Sequence, residues 1–208
     1  CRKYKSDRVR QAEDINVDLQ RRQGGYGRGG RMKIESDQVN IKSGIRHGKT
    51  IGSPITLEVI NRDFENWLQQ MSPAPVAGYR SKAVTRHRPG HADMAGYLKY
   101  HADDVRNILE RASARETTMR VAVGAVAKQL LRQFDIEIVG HMTEMGSIKA
   151  RLPETYKSGK NLRKVTDQSE LRCYDEQASR KMIRFIDQCR IKRTTCGGIF
   201  EVRAFNVP

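Results

Sequence analysis

Three stretches of the chain concentrate side chains that bind or transform anions. QRRQGGYGRGGRM (20–32) sets Arg21, Arg22, Arg28 and Arg31 around five glycines. Glycine lets the backbone approach a ligand closely, and guanidinium groups add directed, bidentate donors, so an ordered loop here suits phosphate or carboxylate. A flexible RGG-type segment is the plainer reading, but such segments come as repeats, and this one is single and wedged between a helical and a strand pattern. RHRPGHAD (86–93) places Arg88 and His91 about a Pro-Gly turn, with Asp93 two residues on. A loop histidine is commonly just solvated; one presented beside an arginine suits general acid work on a phosphate leaving group. ERASARETTMR (110–120) gathers Arg111, Arg115 and Arg120 where a helix begins. Pairing with Glu110 and Glu116 is the plain alternative. A helix N-terminus already carries positive partial charge, however, so surplus cations there make sense if an anion sits among them. GIRHGKT (44–50) has only three residues between its glycines and a strand pattern after it, so it is rejected as a P-loop.

The elements that must position these residues read as α+β. AEDINVDLQRRQ (12–23) predicts a helix with acids early, arginines late and Gly24 as its stop. Residues 24–31 form a loop, and Val39 and Ile41 begin an alternating pattern that SPITLEVIN (53–61) repeats. Asp63 reads as the N-cap of a helix carrying Trp67, Leu68 and Met71. The proline-bearing stretch 72–90 predicts an ordered loop or flap. A helical run starts at 92, and Ser113 and Glu116 form a capping box that opens a long helix to about Phe134. Met119, Val123, Val126 and Leu130 form one stripe of it, and Ala122, Gly124, Ala125 and Ala127 keep it thin enough for close packing. Residues 136–148 return to strand, 150–172 are polar without a period, 175–190 are amphipathic helix and 197–208 are strand. No internal repeat is visible.

Composition bounds the partners. The 208 residues carry 39 Lys+Arg against 24 Asp+Glu, a net charge of +15, and polyanions are the first partners such a charge suggests. Aromatics are only 6%, too few for an obvious base-stacking platform. Residues 1–10 and 149–193 hold +4 and +7 of the charge, whereas 11–148, with all three arginine clusters, holds only +4. That distribution favours small phosphorylated ligands over nucleic acid. Cys1, Cys173, Cys189 and Cys196 show neither CxxC nor a ligand-spaced histidine, which predicts reduced thiols and no metal site. No run of about 18 apolar residues spans a membrane, and the N-terminus lacks the apolar stretch of a signal peptide.

Taken together and in order, AEDINVDLQRRQGGYGRGGRMKIESDQVNIKSGIRHGKTIGSPITLEVINRD, RPGHADMAGYLKY and DDVRNILERASARETTMRVAVGAVAKQLL resemble the chorismate synthase family, and GGIFEVRAFNVP adds a weaker match. The resemblance is dense over 12–150 and looser over 197–208, with 151–195 a variable segment. It implies a portion of a β-α-β sandwich, a homotetramer when complete, and a cytoplasmic location. The implied reaction converts 5-enolpyruvylshikimate 3-phosphate (EPSP) to chorismate and phosphate by trans-1,4-elimination with reduced FMN, NADPH being the reductant in some members. It is the last common step of the shikimate pathway towards aromatic amino acids. By the same resemblance His91 is the catalytic histidine that protonates reduced flavin, and Arg111, Ala112 and Ser113 contact FMN. Arg22 and Arg28 take NADP or substrate, while Arg28, Arg31, Arg88 and Arg115 bind the anionic substrate.

The family's opening GESHG motif, with a second essential histidine, is not found in residues 1–11, and the late Arg-Ser-Asp motif is absent. The chain therefore reads as a single incomplete domain over 1–208, with no turnover expected from it in isolation. Two rivals remain: an inactive truncated fragment, and a basic module that binds anions or nucleic acid.

Overall fold

A computed structural model describes residues 12–27, 36–78, 82–111 and 114–208, and it is the mixed helix-and-strand architecture expected from the sequence. Helix α1 (Ala12–Gln23) opens with Glu13 and Asp14 and closes on Arg21 and Arg22, the charge order that complements the helix dipole. Its Ile15 and Leu19 lie one turn apart, have no exposed surface, and share a core with Val39 and with Ala122 and Ala125 of α4 (Ala114–Arg132). Burial of each of these two side chains contributes about 1.5–3 kcal/mol.

The face that α4 buries includes Ala122 and Ala125, two of the small residues expected to allow close packing, and it divides the apolar stripe. Thr118, Ala122, Ala125 and Gln129 point inward, while Val123 and Leu130 stay 60% and 62% exposed. Helix axes approach only as closely as the side chains between them allow, so Ala122 and Ala125 took the α1 contact, Val126 packs against that core, and Val123 and Leu130 were left outside.

Strand β1 (Val39–Ser43) pairs antiparallel with β4 (Thr56–Val59), Val39 opposite Val59 and Ile41 opposite Leu57. Ile41, Leu57 and Val59 close the α1–α4 core from the side. Between these strands the rejected P-loop is a hairpin of β2 (Ile45–Arg46) and β3 (Lys49–Thr50). Its two central residues, His47 and Gly48, have φ of 50° and 72°, the sign that a tight primed turn requires at both positions. The helix expected after Asp63 is only a 3₁₀ turn, Arg62–Trp67. Phe64, Trp67 and Leu68 remain exposed there, and a short segment without a core to pack on does not propagate an α-helix.

The helical run from 92 is also interrupted. Helix α2 (Asp93–Tyr100) stops at His101, whose backbone turns left-handed (φ 48°) and returns its N–H to the Tyr97 carbonyl. Helix α3 (Arg106–Arg111) restarts beneath Asp104, whose carboxylate accepts the Arg106 backbone N–H at 2.9 Å. An aspartate that can satisfy backbone donors locally ends one helix and begins another.

The remainder is a three-stranded antiparallel sheet ordered β6–β5–β7, built from β5 (Glu137–Met145), β6 (Ile148–Lys149) and β7 (Gly198–Phe205). Helix α6 (Glu176–Ile191) is capped by Asp175, which accepts the Ala178 N–H at 3.0 Å, and it buries Ala178 and Met182 against Met145 and Cys173. Helix α5 (Gly159–Asp167) lies on β5 inside the stretch that showed no period. Ser158 caps it through the Asn161 N–H, yet only Gly159, Leu162 and Thr166 are buried, too thin an apolar stripe to read in sequence. Cys173, Cys189 and Cys196 are free thiols, as expected.

Candidate functional site

The RPGHAD segment folds into a self-supporting turn, and each residue of the motif has a job in it. The His91 N–H donates to the Arg88 carbonyl at 3.3 Å across Pro89 and Gly90. Gly90 has a φ of 73°, so proline followed by a left-handed glycine gives the pattern of a type II turn. Asp93 then closes the loop: its carboxylate accepts the Arg88 backbone N–H at 2.8 Å, Nε at 3.0 Å and Nη2 at 2.9 Å. Asp93 is fully buried, and the Arg88 guanidinium holds its carboxyl at about 2, well below the ordinary 3.8. The same pairing raises Arg88. Arg88 is thus committed to the turn, although nearly half of its side chain faces solvent, and His91 stands exposed at the end of the turn.

The turn is anchored on both sides. Upstream, the Val105 N–H donates to the Val84 carbonyl at 2.8 Å and Arg106 donates to the Lys82 carbonyl at 3.4 Å. Arg106 also pairs with Asp104 and draws its carboxyl down to about 2. Downstream, α2 rests on α3 so closely that a Cβ on Gly96 would lie 2.5 Å from Ile108 Cγ2. Helix α3 in turn packs on the start of α4.

At that start the structure brings together two arginines that the sequence held far apart. Arg22, from the last turn of α1, donates Nη1 to Asp37 Oδ2 at 2.9 Å, and Arg115, from the first turn of α4, donates Nη1 to Asp37 Oδ1. The Thr118 hydroxyl lies 3.5 Å from Asp37 Oδ2. Arg115 also donates Nη2 to the carbonyls of Val59 and Ile60, which tie it to the end of β4. The Asp37 side chain is only 1% exposed, against 12% and 21% for Arg22 and Arg115. The arrangement is one buried carboxylate with one guanidinium on each oxygen, and it carries a net positive charge.

Sequence reading missed Asp37. It is an unremarked acid in ESDQVN, and its partners come from α1 and α4, so no local pattern marks it. The plain reading of ERASARETTMR holds for Arg120, which pairs with Glu116, one turn earlier, at 2.7 Å on the exposed face. Arg111 is the last residue of α3. Arg28, Arg31, Ala112 and Ser113 lie outside the described residues. Among the described residues there is no group of histidine, cysteine and acid side chains able to hold a metal ion, and no helix long and apolar enough to cross a membrane.

The chorismate synthase family model matches residues 8–208. The chorismate synthase of Lactococcus lactis subsp. lactis (strain IL1403) is 54% identical over 199 residues, covering 95% of this chain and 51% of that protein. That of Geotalea uraniireducens (strain Rf4) is 57% identical over 196 residues, covering 94% of this chain and 49% of its own. A crystal structure of chorismate synthase superposes with a TM-score of 0.73 at 36% identity, over 97% of this chain and 52% of the other. The chain spans about half the length of the curated relatives it matches. With the family model covering nearly all of it, the chain belongs to the chorismate synthase family.

Proposed function

We propose that this chain supplies the arginine and histidine side of a chorismate synthase active site. The reaction is the conversion of EPSP to chorismate and phosphate by trans-1,4-elimination, a lyase step of the shikimate pathway, carried out in the cytoplasm by a homotetramer with reduced FMN. The observation that carries the reading is the convergence of Arg22 and Arg115 on buried Asp37 at the start of α4. Two guanidiniums fixed at a helix N-terminus favour an anion with several oxygens.

The donor chemistry at this joint fits a phosphate-bearing cofactor. Arg111, Ala112 and Ser113 would hold FMN, with Arg22 and Arg28 taking NADPH or the substrate. Reduced flavin, when bound, supplies electron density that helps expel phosphate. The chain's own part is positioning and charge. Arg28, Arg31, Arg88 and Arg115 grip the anionic substrate, and their N–H donors stabilise the charge that grows on the departing phosphate. His91, presented by the Arg88–Asp93 turn, would be the general acid beside reduced flavin when that cofactor is bound.

Equilibrium binding tests the reading. EPSP should bind the 208-residue chain saturably, and shikimate, which lacks the 3-phosphate, should bind at least about tenfold more weakly for want of charge-assisted contacts. Equal affinity for the two would refute it. The isolated chain should form no detectable chorismate from EPSP and reduced FMN, and turnover at the rate of a full-length relative would overturn that part.

A further inference from the structure

We infer that β7 is a self-pairing strand: two copies of this chain join edge to edge along it, antiparallel across a two-fold axis at Val202, so that Glu201 of each copy faces Arg203 of the other. The inference stands apart from the function proposed above. β7 is the outermost strand of the β6–β5–β7 sheet, and among the described residues its outer side has no ladder partner. A row of unpaired backbone groups recruits a further strand unless lysine, proline or a bulge blunts it. GIFEVRAF contains neither lysine nor proline, and the irregularity in its ladder falls on β5, where Thr143 is the extra residue between Met142 and Glu144. Phe200 and Val202, two apart and so on one face, stay 70% and 58% exposed.

The strand is complementary to itself in one register. Backbone groups of alternate residues point to the free edge, so the two residues of an antiparallel pair must both point outward or both inward. A two-fold axis therefore passes through a residue and not between two. Centred on Glu201 or Arg203, it sets like charges directly opposite each other, which destabilises the pair. Moving it to Phe200 or Ala204 shortens the ladder and leaves each charge opposite an uncharged residue. Centred on Val202, it sets Glu201 opposite Arg203, Phe200 opposite Ala204 and Ile199 opposite Phe205, each on both sides of the axis. Within one chain Arg203 Nε already lies 2.9 Å from Glu201 Oε1, Glu201 also meets His141 at 3.1 Å, and Arg203 covers the Tyr156 ring. None of these contacts has to break. A carboxylate and a guanidinium each have further sites to share, and the two side chains are 33% and 40% exposed.

The test begins with the wild-type 208-residue chain. Sedimentation equilibrium at roughly 100 µM should show a dimer, the state that an edge contact of micromolar Kd populates. Isotope-filtered NOEs between labelled and unlabelled copies should join Val202 to Val202 and Phe200 to Ala204. Charge reversal then probes the register. Glu201→Arg alone, or Arg203→Glu alone, turns both cross-axis pairs into like-charge pairs and should weaken dimerisation by at least about tenfold. An equimolar mixture of the two variants should dimerise again, because every arginine then faces a glutamate.

A wild-type monomer at that concentration overturns the inference, as does a dimer without the Phe200–Ala204 contact. These two measurements need no variant to fold. A dimer indifferent to both reversals, or folded variants whose mixture stays monomeric, overturns it equally.

Discussion

Gly96 is where the support of the RPGHAD turn can be tested most sharply. In the middle of α2 an alanine should by intrinsic propensity stabilise the helix by about 1 kcal/mol. The structure opposes this. A Cβ at residue 96 would stand 2.5 Å from Ile108 Cγ2, 3.1 Å from Cδ1 and 3.3 Å from Cγ1, whereas carbon atoms rest at roughly 3.5–4.0 Å. Ile108 is only 4% exposed, so it has no open space to retreat into, and an eight-residue helix must shift by about 1 Å instead. Overpacking of this kind costs about 1–3 kcal/mol. Gly96→Ala should thus destabilise the chain by about 1 kcal/mol net, seen in thermal melting as a fall of about 3 °C for a chain of this size. The offending atom is the β-branch methyl, which sharpens the test. Ile108→Leu removes Cγ2 at nearly constant volume and should rescue Gly96→Ala with a coupling of at least about 0.5 kcal/mol. Ile108→Val keeps Cγ2 and should not. Stabilisation by Gly96→Ala in the wild-type background, or equal rescue by valine, would refute the reasoning.

Acid should loosen the same region. Asp93 and Asp104 both titrate at about 2 in the folded chain against an ordinary 3.8. Their pairing with Arg88 and Arg106 therefore stabilises the fold above about pH 4 and is lost as pH falls from 4 towards 2. Carboxyl ¹³C titration should show both midpoints, and Arg88→Gln should move that of Asp93 upward from about 2, because the largest lowering cause is removed while the residue-88 backbone N–H stays in place; an unmoved midpoint would exclude the guanidinium as the cause. Asp175 accepts backbone N–H groups from Ala178 and Arg151, so Asp175→Ala should lower stability by about 1–2 kcal/mol, read as a shifted urea midpoint at constant slope, while Asp175→Asn should retain most of it. In a full-length relative, replacing the histidine that matches His91 by alanine should lower kcat by about 10²-fold or more while changing EPSP affinity far less. Unchanged turnover would remove His91 from the chemistry.

Features with a local cause were legible in the sequence. Charge order and Gly24 marked α1, an amphipathic pattern marked α6, and Pro89-Gly90 marked the turn that carries His91. The rejected P-loop was also a local matter, since only three residues lie between Gly44 and Gly48 and a strand pattern follows. What escaped had its cause at a distance. The apolar stripe of α4 is split, Val126 packing on the core while Val123 and Leu130 stay exposed, because the face that packs was chosen by how closely α1 could approach, which no window of α4 contains. Helix α5 buries too few apolar residues to display a period. Asp37 has no meaning until Arg22 and Arg115 arrive from other elements.

Two of the buried acids, Asp37 and Asp93, change what the positive charge of this chain implies. Counting arginines suggests a strongly attractive surface, yet Asp37 cancels one of the two charges around it and Asp93 cancels that of Arg88. Each cancellation weakens long-range attraction and strengthens local order. A partner that binds by summed charge, such as a nucleic acid backbone, loses affinity by that exchange, because its binding scales with the number of cations it neutralises. A small anion of fixed shape gains, because it meets donors already placed and spends less entropy arranging them. Burying an aspartate at the centre of an arginine cluster therefore favours selection by geometry over selection by summed charge.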